Sequence, residues 1–586
     1  MMAPCGIRTI DTDVAVVGSG GAGLMCLVHL ADAAPDLDVT VVSKGAVGRS
    51  GCTRMVQGGY NAVLAAADSL EAHFRDTLEG GKYLNDQEMA WTLVSEAPRA
   101  IEELESRVGC RFDRDESGSI SQKAFGGQSF DRTVHKGDLT GMEIMGRLLE
   151  QAARARPDTL GDTRALDLLF DEHGGLSGLT VLDVMSGEVS VVRARVVVVA
   201  TGGAATMYRV AAPAREKTGD GVAMCFRAGV ELRDMEMLQF HPTGILAGES
   251  SLTGAVLEEG LRGAGARMYN AEGVRFMQRY DPEKMERSTR DVVSRASYME
   301  IMAGRGTPAG GVWLDISHIG AEEVERRFPG MTARSRVMGR DLARQPIEIS
   351  PTSHFHMGGV ITDEYCQTSV PGLLVAGEDS GGVHGANRLG GNGVAESTIF
   401  GGRAGDRAAL IAGERDLRTP DPEQVAASVS RAYAPLRRER GLSPFRVTHE
   451  LKETMWEGCG VTRDREGLLR ASEQIEDLAR AADEISVPGP HEANYAWQES
   501  LDLSNQLTVA RAMVESALIR EESRGSHYRS DFPDQDDDNW LRFVVARSRE
   551  SGGVETDLRP VELSRRSPQH TDPPAGKLER VRKTRD

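Results

Sequence analysis

The sequence predicts an α/β fold in which a parallel sheet is followed by a helical segment, and three observations lead to it. A β-branched run at 14–17 passes through a glycine-rich turn at 18–23 (GSGGAG) into a helical stretch and a second β-branched run at 39–42. Two later runs, 196–200 and 373–375, have the length and composition of buried strands. From about residue 415 to 525 the apolar residues recur with helical spacing instead.

The remaining elements follow in order along the chain. Residues 65–156 are rich in Glu, Ala, Arg and Leu and predict helices, which a glycine-rich stretch at 125–128 interrupts. Residues 163–200 predict strands, and residues 240–350 alternate glycine turns with charged helical segments. From about 550 onward large apolar residues are few, so we expect a tail that is poorly ordered or lies on the surface.

Composition and charge exclude several classes of protein. The chain has 586 residues, of which 40% are hydrophobic and 27% are charged, so a disordered or fibrous chain is excluded. The formal net charge is −19, which disfavours nucleic-acid binding and means that an anionic ligand needs a local basic pocket. The seven cysteines include no CxxC pair, so neither a disulfide framework nor a metal site is expected.

Targeting signals also bear on the location of the protein. No apolar run reaches the roughly 18–20 residues that a membrane-spanning helix needs. The first residues lack the basic-then-apolar pattern of a signal peptide. We therefore expect a cytoplasmic protein with no membrane span of its own.

The glycine turn is the first candidate site. A GxGxxG pattern between strand and helix is typical of dinucleotide binding, because the glycines let the backbone approach a pyrophosphate at the helix N-terminus. The second strand ends in Ser43 and Lys44, not in the acid that an NAD site needs, although Lys44 would suit NADP. The turns after the late strands, ATGG at 200–203 and AGED at 376–379, favour a flavin. No second GxGxxG unit follows that could bind a nicotinamide cofactor. The flavin would therefore pass electrons to the substrate, a quinone, oxygen or a protein partner.

A second candidate site consists of segments that carry histidine or arginine beside small residues. They are QFHPTG (239–244), EGLRG (259–263), TRDVV (289–293), HFHMGG (354–359) and HGANRLGGN (384–392). Arginine binds carboxylates with paired donors and histidine adds further donors, so their convergence on one cavity would suit a dicarboxylate. Taken singly, each could equally be a core residue or a surface ion pair.

These segments together resemble the flavoprotein subunit of succinate dehydrogenase and fumarate reductase, a family that includes L-aspartate oxidase. The resemblance runs from about residue 11 to about 545 and includes TGDG at 218–221. A late block, ESRGSHYRSDFP at 522–533 followed by DDDNWL at 536–541, is similar to the succinate dehydrogenase type more than to the aspartate oxidase type.

The resemblance implies the domain organisation and the partners. It implies a Rossmann-like FAD-binding domain at 1–240 and 350–412, with an α+β capping domain inserted at 241–349. A helical domain at 413–530 and a partly disordered C-terminal extension at 531–586 would follow. The implied partners are a small dicarboxylate substrate, a quinone-linked membrane anchor and an iron–sulfur subunit. The anchor would hold the protein at the inner face of the membrane.

The resemblance also implies roles for single residues. His241, His354 and Arg388 would hold the substrate carboxylates, and Arg290 would transfer a proton at one substrate carbon while flavin N5 exchanges hydride with the next. Because arginine hardly ever deprotonates at equilibrium, a relay through Glu259 and Arg262 would have to serve it. The other implied substrate contacts are Thr243, Glu258, Phe125 and Gln128. The implied FAD contacts are Gly18, Gly20, Gly21, Ala22, Gly23, Ser43, Lys44, Ser50, Thr53, Gln57, Gly58, Gly59, Ala200, Thr201, Gly202, Asp220, Glu378, Asn387, Gly393 and Val394.

Three positions depart from the family pattern. Cys52 stands where many succinate-oxidising members attach FAD through a histidine, so non-covalent FAD is expected and a cysteinyl–flavin bond is the alternative. A non-covalent flavin should have a lower potential, which favours fumarate reduction or amino-acid oxidation. Glu258 replaces a usual Thr or Ser and would repel a dicarboxylate unless it is protonated, turned to solvent or paired with an amine. The segment 392–396 (NGVAE) lacks the family's more common serine–leucine pair.

Three functions stay open on the sequence alone. The first is a dehydrogenase or fumarate reductase that interconverts a C4-dicarboxylate and its unsaturated form. The second is an L-aspartate oxidase, or an oxidase of a related nitrogen-bearing dicarboxylate. The third is a non-catalytic flavoprotein scaffold, against which the intact histidine and arginine segments argue.

Overall fold

The computed structural model of the chain describes residues 7–549 and 552–568. The strands are β1 (Arg8–Val17), β2 (Val39–Val42), β3 (Tyr60–Asn61), β4 (Gln122–Lys123), β5 (Thr133–Val134), β6 (Asp158–Leu160), β7 (Thr163–Phe170), β8 (Leu176–Asp183), β9 (Val189–Val199), β10 (Leu232–Arg233), β11 (Leu238–Ile245), β12 (Arg267–Tyr269), β13 (Val312–Asp315), β14 (Ile347–His356), β15 (Gly359–Val360), β16 (Leu373–Val375), β17 (Arg542–Ser548) and β18 (Val554–Pro560). The α-helices are α1 (Gly21–Ala33), α2 (Leu70–Gly80), α3 (Gln87–Glu103), α4 (Thr140–Arg154), α5 (Asp220–Arg227), α6 (Gly260–Gly263), α7 (Met277–Tyr280), α8 (Arg290–Glu300), α9 (Ala321–Arg327), α10 (Pro329–Val337), α11 (Asn392–Ala412), α12 (Pro422–Arg437), α13 (Pro444–Gly458), α14 (Arg465–Ala482), α15 (Tyr495–Ile519) and α16 (Asp537–Trp540).

The central sheet has the strand order β6-β2-β1-β9-β8-β7. β1 pairs in parallel with β2 and β9, and β16 pairs in parallel with the second half of β9, where Leu373 lies opposite Val197. The carboxyl ends of β1, β9 and β16 therefore lie side by side. This arrangement brings the three turns that follow these strands to one edge of the sheet, which is where open α/β sheets bind ligands.

Alternating side chains of β1 explain why this strand is buried on both faces. Ala15 and Val17 belong to one hydrophobic cluster, whereas Val14 and Val16 belong to the cluster on the opposite face. A strand places successive side chains on opposite faces, so an unbroken apolar run requires cover on both. Helices α1 and α11 pack against each other on the second face.

A second sheet, ordered β11-β14-β13-β12, is antiparallel throughout and encloses its own hydrophobic cluster. Its strands extend from 238 to 356 and so flank the predicted capping domain at 241–349. The predicted domain boundaries stay a prediction. Helices α12 to α15 follow the central sheet in the chain, in the part where helical spacing predicted them.

Of the two expectations for the tail from about residue 550, poor order is wrong for 554–560, which form an ordered strand, and a position on the surface fits its mostly exposed or half-buried side chains. β17 and β18 form an antiparallel hairpin in which Arg542 lies opposite Pro560, and β17 also pairs with β10. The hairpin was missed because β18 is largely polar, and a strand held by main-chain hydrogen bonds at a sheet edge needs little apolar sequence. Residues 569–586 of the predicted extension lie outside the described residues. In the described part of the chain, no helix combines the length and the apolar character needed to cross a membrane.

A buried charge cluster fixes the segment after α15 to the start of β11. Arg520 contacts Glu236 at 2.6 Å, Glu522 at 3.0 Å and Asp234 at 3.4 Å, and Arg524 contacts Glu522 at 2.6 Å. All five side chains are at most 2% exposed. Three carboxylates out of water need both guanidinium groups, so the cluster specifies how the C-terminal segment docks.

We predict that Arg520→Met destabilises the fold strongly, because it leaves the buried carboxylate of Glu236 without its counter-charge. The expected loss in the free energy of unfolding is about 3–5 kcal/mol, measured by denaturant or thermal unfolding. The control is Arg480→Met, which removes a partner of Asp477 that is 72% exposed and should change stability little. Equal stability of both variants would contradict a structural role for the cluster.

Candidate active site

A cavity of about 610 Å³ lies where the ends of β1, β9 and β16 meet the second sheet. Its walls include the 18–22 turn, the 50–59 segment, and side chains of β11 and β14. The volume is within the range of small-molecule and cofactor pockets. One continuous cavity therefore connects the two candidate sites that the sequence indicates.

The glycine turn leaves no room for larger residues at two positions. Gly18 has a φ of +109°, and a Cβ there would lie 2.1 Å from the carbonyl oxygen of Ala200. A Cβ on Gly23 would lie 1.9 Å from the carbonyl oxygen of Gly18. The tight turn leaves the N-terminus of α1 facing the cavity, and although the Gly21 N–H donates to Thr53 Oγ1 at 3.2 Å, the positive end of the helix suits a pyrophosphate.

Lys44, at the end of β2, is held in a buried polar cluster. Its ammonium donates to Thr218 Oγ1 at 2.7 Å, Asp220 Oδ2 at 3.0 Å and Asp502 Oδ1 at 2.5 Å. Burial alone raises the pKa of Asp220, but the charges of Lys44 and Arg164 outweigh it and the pKa is lowered. Asp220 is thus an ionised acceptor at the cavity wall.

Hydrogen bonds join the turn after β9 to the turn after β16. The carboxylate of Asp379 accepts hydrogen bonds from the Gly202 backbone N–H at 2.9 Å and from the Thr201 hydroxyl at 3.0 Å. The neighbouring Glu378 accepts from the backbone N–H of His356 at 2.8 Å and pairs with Lys217. Burial raises the pKa of Glu378, an effect that Lys217 opposes.

Two histidines come together because β11 and β14 are neighbours. The ring centroids of His241 and His354 lie 5.4 Å apart, and His241 Nδ1 lies 3.0 Å from Thr243 Oγ1. Burial and the nearby Arg290 and Arg388 charges lower the pKa of both histidines well below the usual value. Both rings are therefore neutral at pH 7 and can each donate one N–H.

Two buried arginines share one acceptor at the centre of this group. Arg290 donates to Gln239 Oε1 at 3.0 Å and Arg388 donates to the same oxygen at 3.2 Å. Arg290 also contacts Glu259 Oε2 through Nε at 2.7 Å and Nη2 at 2.6 Å. Burial, followed by the charge of Arg290, lowers the pKa of Arg388 to about 9. The two guanidinium groups therefore repel each other, and an anion bound in the cavity would reduce that repulsion.

Arg262 lies behind Glu259, away from the cavity. Its Nη2 is 3.2 Å from Glu259 Oε1, and its Nη1 donates to the carbonyl oxygen of Glu286 at 2.7 Å. Burial alone raises the pKa of Glu259, but the charges of Arg290 and Arg262 outweigh it and the pKa is lowered. Arg290, Glu259 and Arg262 thus form a continuous series of contacts that leads from the cavity into the protein interior.

Glu258 has a partner from a distant segment. Its carboxylate is 7% exposed and lies 2.7 Å from the ammonium of Lys123, on β4. The alternative that Glu258 turns to solvent is therefore wrong. Burial raises the pKa of Glu258 and Lys123 opposes that shift. A residue 135 positions away in the chain supplies an amine partner, which is one of the three alternatives that the sequence left open.

Most of the predicted site residues line the cavity, and five do not: Gly23, Gln128, Thr243, Arg262 and Asn387. Thr243 and Arg262 contact His241 and Glu259, which line the cavity. Gln128 donates to the Gly390 carbonyl oxygen at 3.0 Å, and Asn387 accepts from the Gln239 side chain at 2.9 Å, so both lie one residue behind the cavity wall.

Sequence reasoning missed three residues of the site. Gln239 opens the quoted QFHPTG segment and Lys217 directly precedes TGDG, but no spacing rule marks either residue. Lys123 was missed because only the folded chain brings it to Glu258.

Comparison with known proteins agrees with this geometry. An FAD-binding domain family model matches residues 13–394, and a fumarate reductase flavoprotein C-terminal model matches residues 448–573. A subunit of the CoM/CoB fumarate reductase of Methanothermobacter marburgensis is 41% identical over 541 residues, which cover 91% of this chain and 97% of the relative.

Two solved structures are similar over nearly the whole chain. A variant of E. coli quinol fumarate reductase has a TM-score of 0.91 at 32% identity, covering 96% of this chain and 98% of that one. Mycobacterium smegmatis Sdh1 in complex with UQ1 has a TM-score of 0.87 at 35% identity, covering 96% of each chain. The glycine cradle, the helix N-terminus and the cavity volume fit FAD. The chain therefore belongs to the succinate dehydrogenase and fumarate reductase flavoprotein family and is an FAD-dependent oxidoreductase of that type.

Proposed function

We propose that the chain interconverts a C4-dicarboxylate and its unsaturated form, and that it acts mainly as a fumarate reductase. The observation that carries the proposal is the arginine pair, Arg290 and Arg388, buried in one cavity with two neutral histidines. The bound flavin would supply or accept the hydride. Side chains of this chain would bind the diacid and transfer the proton.

Arg388, His241 and His354 would bind the two carboxylates. Arg388 is fixed by Gln239 and lies with its guanidinium 4.4 Å from the centre of the Phe355 ring. A fixed arginine and two fixed N–H donors hold a planar diacid without large reorganisation, which is the main contribution that positioning makes to the rate. Charge that develops on a carboxylate during the reaction would be stabilised by the same groups.

Arg290 would transfer the proton and Glu259 would restore it. The two-point contact of Arg290 with Glu259 Oε2 gives the near-concerted exchange that a guanidinium needs, since it does not hold a neutral state at equilibrium. Because its pKa is lowered, Glu259 is ionised at rest, so it would relay a proton to Arg290 as Arg290 donates its own and would not store one. Arg262, at 3.2 Å, would orient Glu259 from behind.

The pairing of Glu258 favours a plain dicarboxylate over an amino acid. An unpaired carboxylate here would have called for a substrate amine, which was the reason to consider L-aspartate or a related nitrogen-bearing diacid. Lys123 supplies that amine from within the protein. The aspartate oxidase alternative therefore has no specific support from this side chain, and the ordered arginine network argues against a non-catalytic scaffold.

The partners remain part of the proposal. We propose a quinone-linked membrane anchor and an iron–sulfur subunit, which would place the chain peripherally at the inner face of the membrane. The similarity to a quinol fumarate reductase and to a relative solved with UQ1 supports a quinone-linked chain.

The function is tested with the flavin-loaded protein and succinate, fumarate and L-aspartate. We expect fumarate to reoxidise chemically reduced flavin under anaerobic conditions, and aspartate to give no peroxide in air. Arg290→Lys should keep FAD bound but lower turnover by about 10³-fold, because lysine cannot make the two-point contact with Glu259. The absorbance of the flavin band measures the amount of bound FAD and the rate of its reoxidation by fumarate.

The matched control is Arg295→Lys on the same helix. Arg295 lies with its guanidinium 4.5 Å from the centre of the Tyr528 ring and does not line the cavity, so turnover should be unchanged. Arg290→Lys activity within about tenfold of wild type would contradict the proton-transfer assignment. Peroxide from aspartate would instead support the oxidase alternative.

A second prediction concerns the Glu258–Lys123 pair. Lys123→Met leaves a buried carboxylate beside the substrate, so we expect KM for fumarate to rise by about tenfold and to rise further with pH as Glu258 ionises. The double variant Lys123→Met/Glu258→Thr removes both charges and should restore KM. Steady-state kinetics from pH 6 to 9 measure this, and a double variant as impaired as the single would show that charge compensation is not the role of Lys123.

The third prediction concerns the flavin linkage. Cys52 accepts a hydrogen bond from the Ala214 backbone N–H at 3.4 Å, and burial raises the pKa of its thiol. A protonated thiol is a poor nucleophile, so we predict non-covalent FAD. Acid precipitation should release the flavin into the supernatant, whereas flavin absorbance retained in the washed pellet would establish a covalent bond.

A further inference from the structure

Lys217 is a buried cation that the proposed function does not use. Its side chain is 4% exposed and lines the same cavity as His354 and Glu378. Taking a lysine out of water is costly unless its charge has partners, so a lysine in this place calls for an explanation.

Three contacts give the ammonium a defined place. It pairs with the carboxylate of Glu378, donates to the carbonyl oxygen of His354 at 3.3 Å and lies 5.5 Å from the centre of the Phe355 ring. Its main chain is held too, because the Thr206 hydroxyl donates to the Lys217 carbonyl oxygen at 2.7 Å. The positive charge therefore cannot swing out to solvent without breaking several interactions.

That place lies beside two residues expected at the flavin ring. Cys52 stands where the family attaches FAD, and His354 belongs to the substrate group that must lie against the ring for hydride exchange. Burial raises the pKa of Cys52 and the charge of Lys217 opposes that rise, and the same charge contributes to the lowered pKa of His354. Since the ammonium also donates to the His354 carbonyl oxygen, it is close to the place where the ring is expected.

The Lys217–Glu378 pair is also oriented. Glu378 accepts from the His356 backbone N–H, and a Cβ on Gly203 would lie 2.8 Å from its Oε1, so the carboxylate abuts the turn after β9. The ammonium ends at the main chain of His354, and both side chains of the pair line the cavity.

We propose that Lys217 is a cofactor-binding residue whose ammonium stabilises the negative charge of the reduced flavin ring. A flavin that has taken up hydride carries negative charge at its N1–C2 carbonyl side, and a fixed cation in a site of low dielectric constant stabilises that form and raises the reduction potential. In a chain with Cys52 at the position of the attaching histidine, Lys217 offers a non-covalent way to raise the potential. This inference rests on FAD binding and not on the identity of the dicarboxylate.

The test uses the FAD-loaded protein and two readouts that need no substrate. Sulfite adds reversibly to flavin N5 and leaves negative charge on the ring, so its dissociation constant reports the local cation. The midpoint potential reports the same charge on reduction. We expect Lys217→Met to weaken sulfite binding at least about tenfold and to shift the potential to more negative values, about 30 mV for each tenfold change in the two-electron equilibrium. Lys217→Arg, which keeps the charge, should recover most of both.

Two further variants separate this role from a purely structural one. In Lys217→Met/Glu378→Gln both charges are absent, and sulfite binding should stay weak. Return of the double variant to wild-type values would overturn the proposal, since Lys217 would then serve only to neutralise Glu378. Arg334→Met removes a cation elsewhere on the cavity wall and should change neither readout.

Unchanged sulfite affinity and potential in Lys217→Met would also overturn the proposal. If that variant is isolated without flavin, FAD is titrated into the apoproteins of wild type, Lys217→Met and Lys217→Arg. The proposal is supported if Lys217→Met binds FAD more weakly and Lys217→Arg restores the affinity. It is overturned if all three proteins bind FAD equally. Because no arm uses fumarate, succinate or aspartate, its outcome is independent of whether the proposed reaction is correct.

Discussion

Two like charges held against one amide oxygen are the constraint on which the site depends. Arg290 and Arg388 both donate to Gln239 Oε1, and each is at most 9% exposed. Neighbouring buried cations repel each other, and the lowered pKa of Arg388 is one result of that repulsion. Glu259 pairs with Arg290 and Arg262 but not with Arg388. No carboxylate of the described residues forms an ion pair with Arg388, so an anion bound beside the two arginines would reduce their repulsion.

The fold brings these side chains together from three places. Gln239 and His241 lie on β11, His354 lies on the neighbouring β14, and Arg388 lies in the loop between β16 and α11. β11 is anchored at its start by the buried cluster around Arg520, so the C-terminal segment bears on the position of Gln239 through Asp234 and Glu236. The positions of Arg290 and Arg388 therefore depend on contacts from distant parts of the chain.

The sequence predicted the parts of this arrangement that leave a local pattern. The strand–turn–helix at 14–34, the late strands at 196–200 and 373–375 and the helices after 415 follow from periodicity and glycine placement, and the structure contains each of them. The β17–β18 hairpin, the Lys123 partner of Glu258 and the role of Gln239 leave no such pattern. A polar strand at a sheet edge looks like a loop, and a pair separated by 135 residues in the chain is visible only after folding.

Charge balance in the cavity explains how unusual residues are accommodated there. Glu258 brings a carboxylate into the cavity wall, where it pairs with Lys123. Lys217 brings a positive charge into the cavity wall, where it pairs with Glu378. Because each of these charges lies beside an opposite one, neither is left isolated in a site of low dielectric constant, and the cavity wall tolerates both residues.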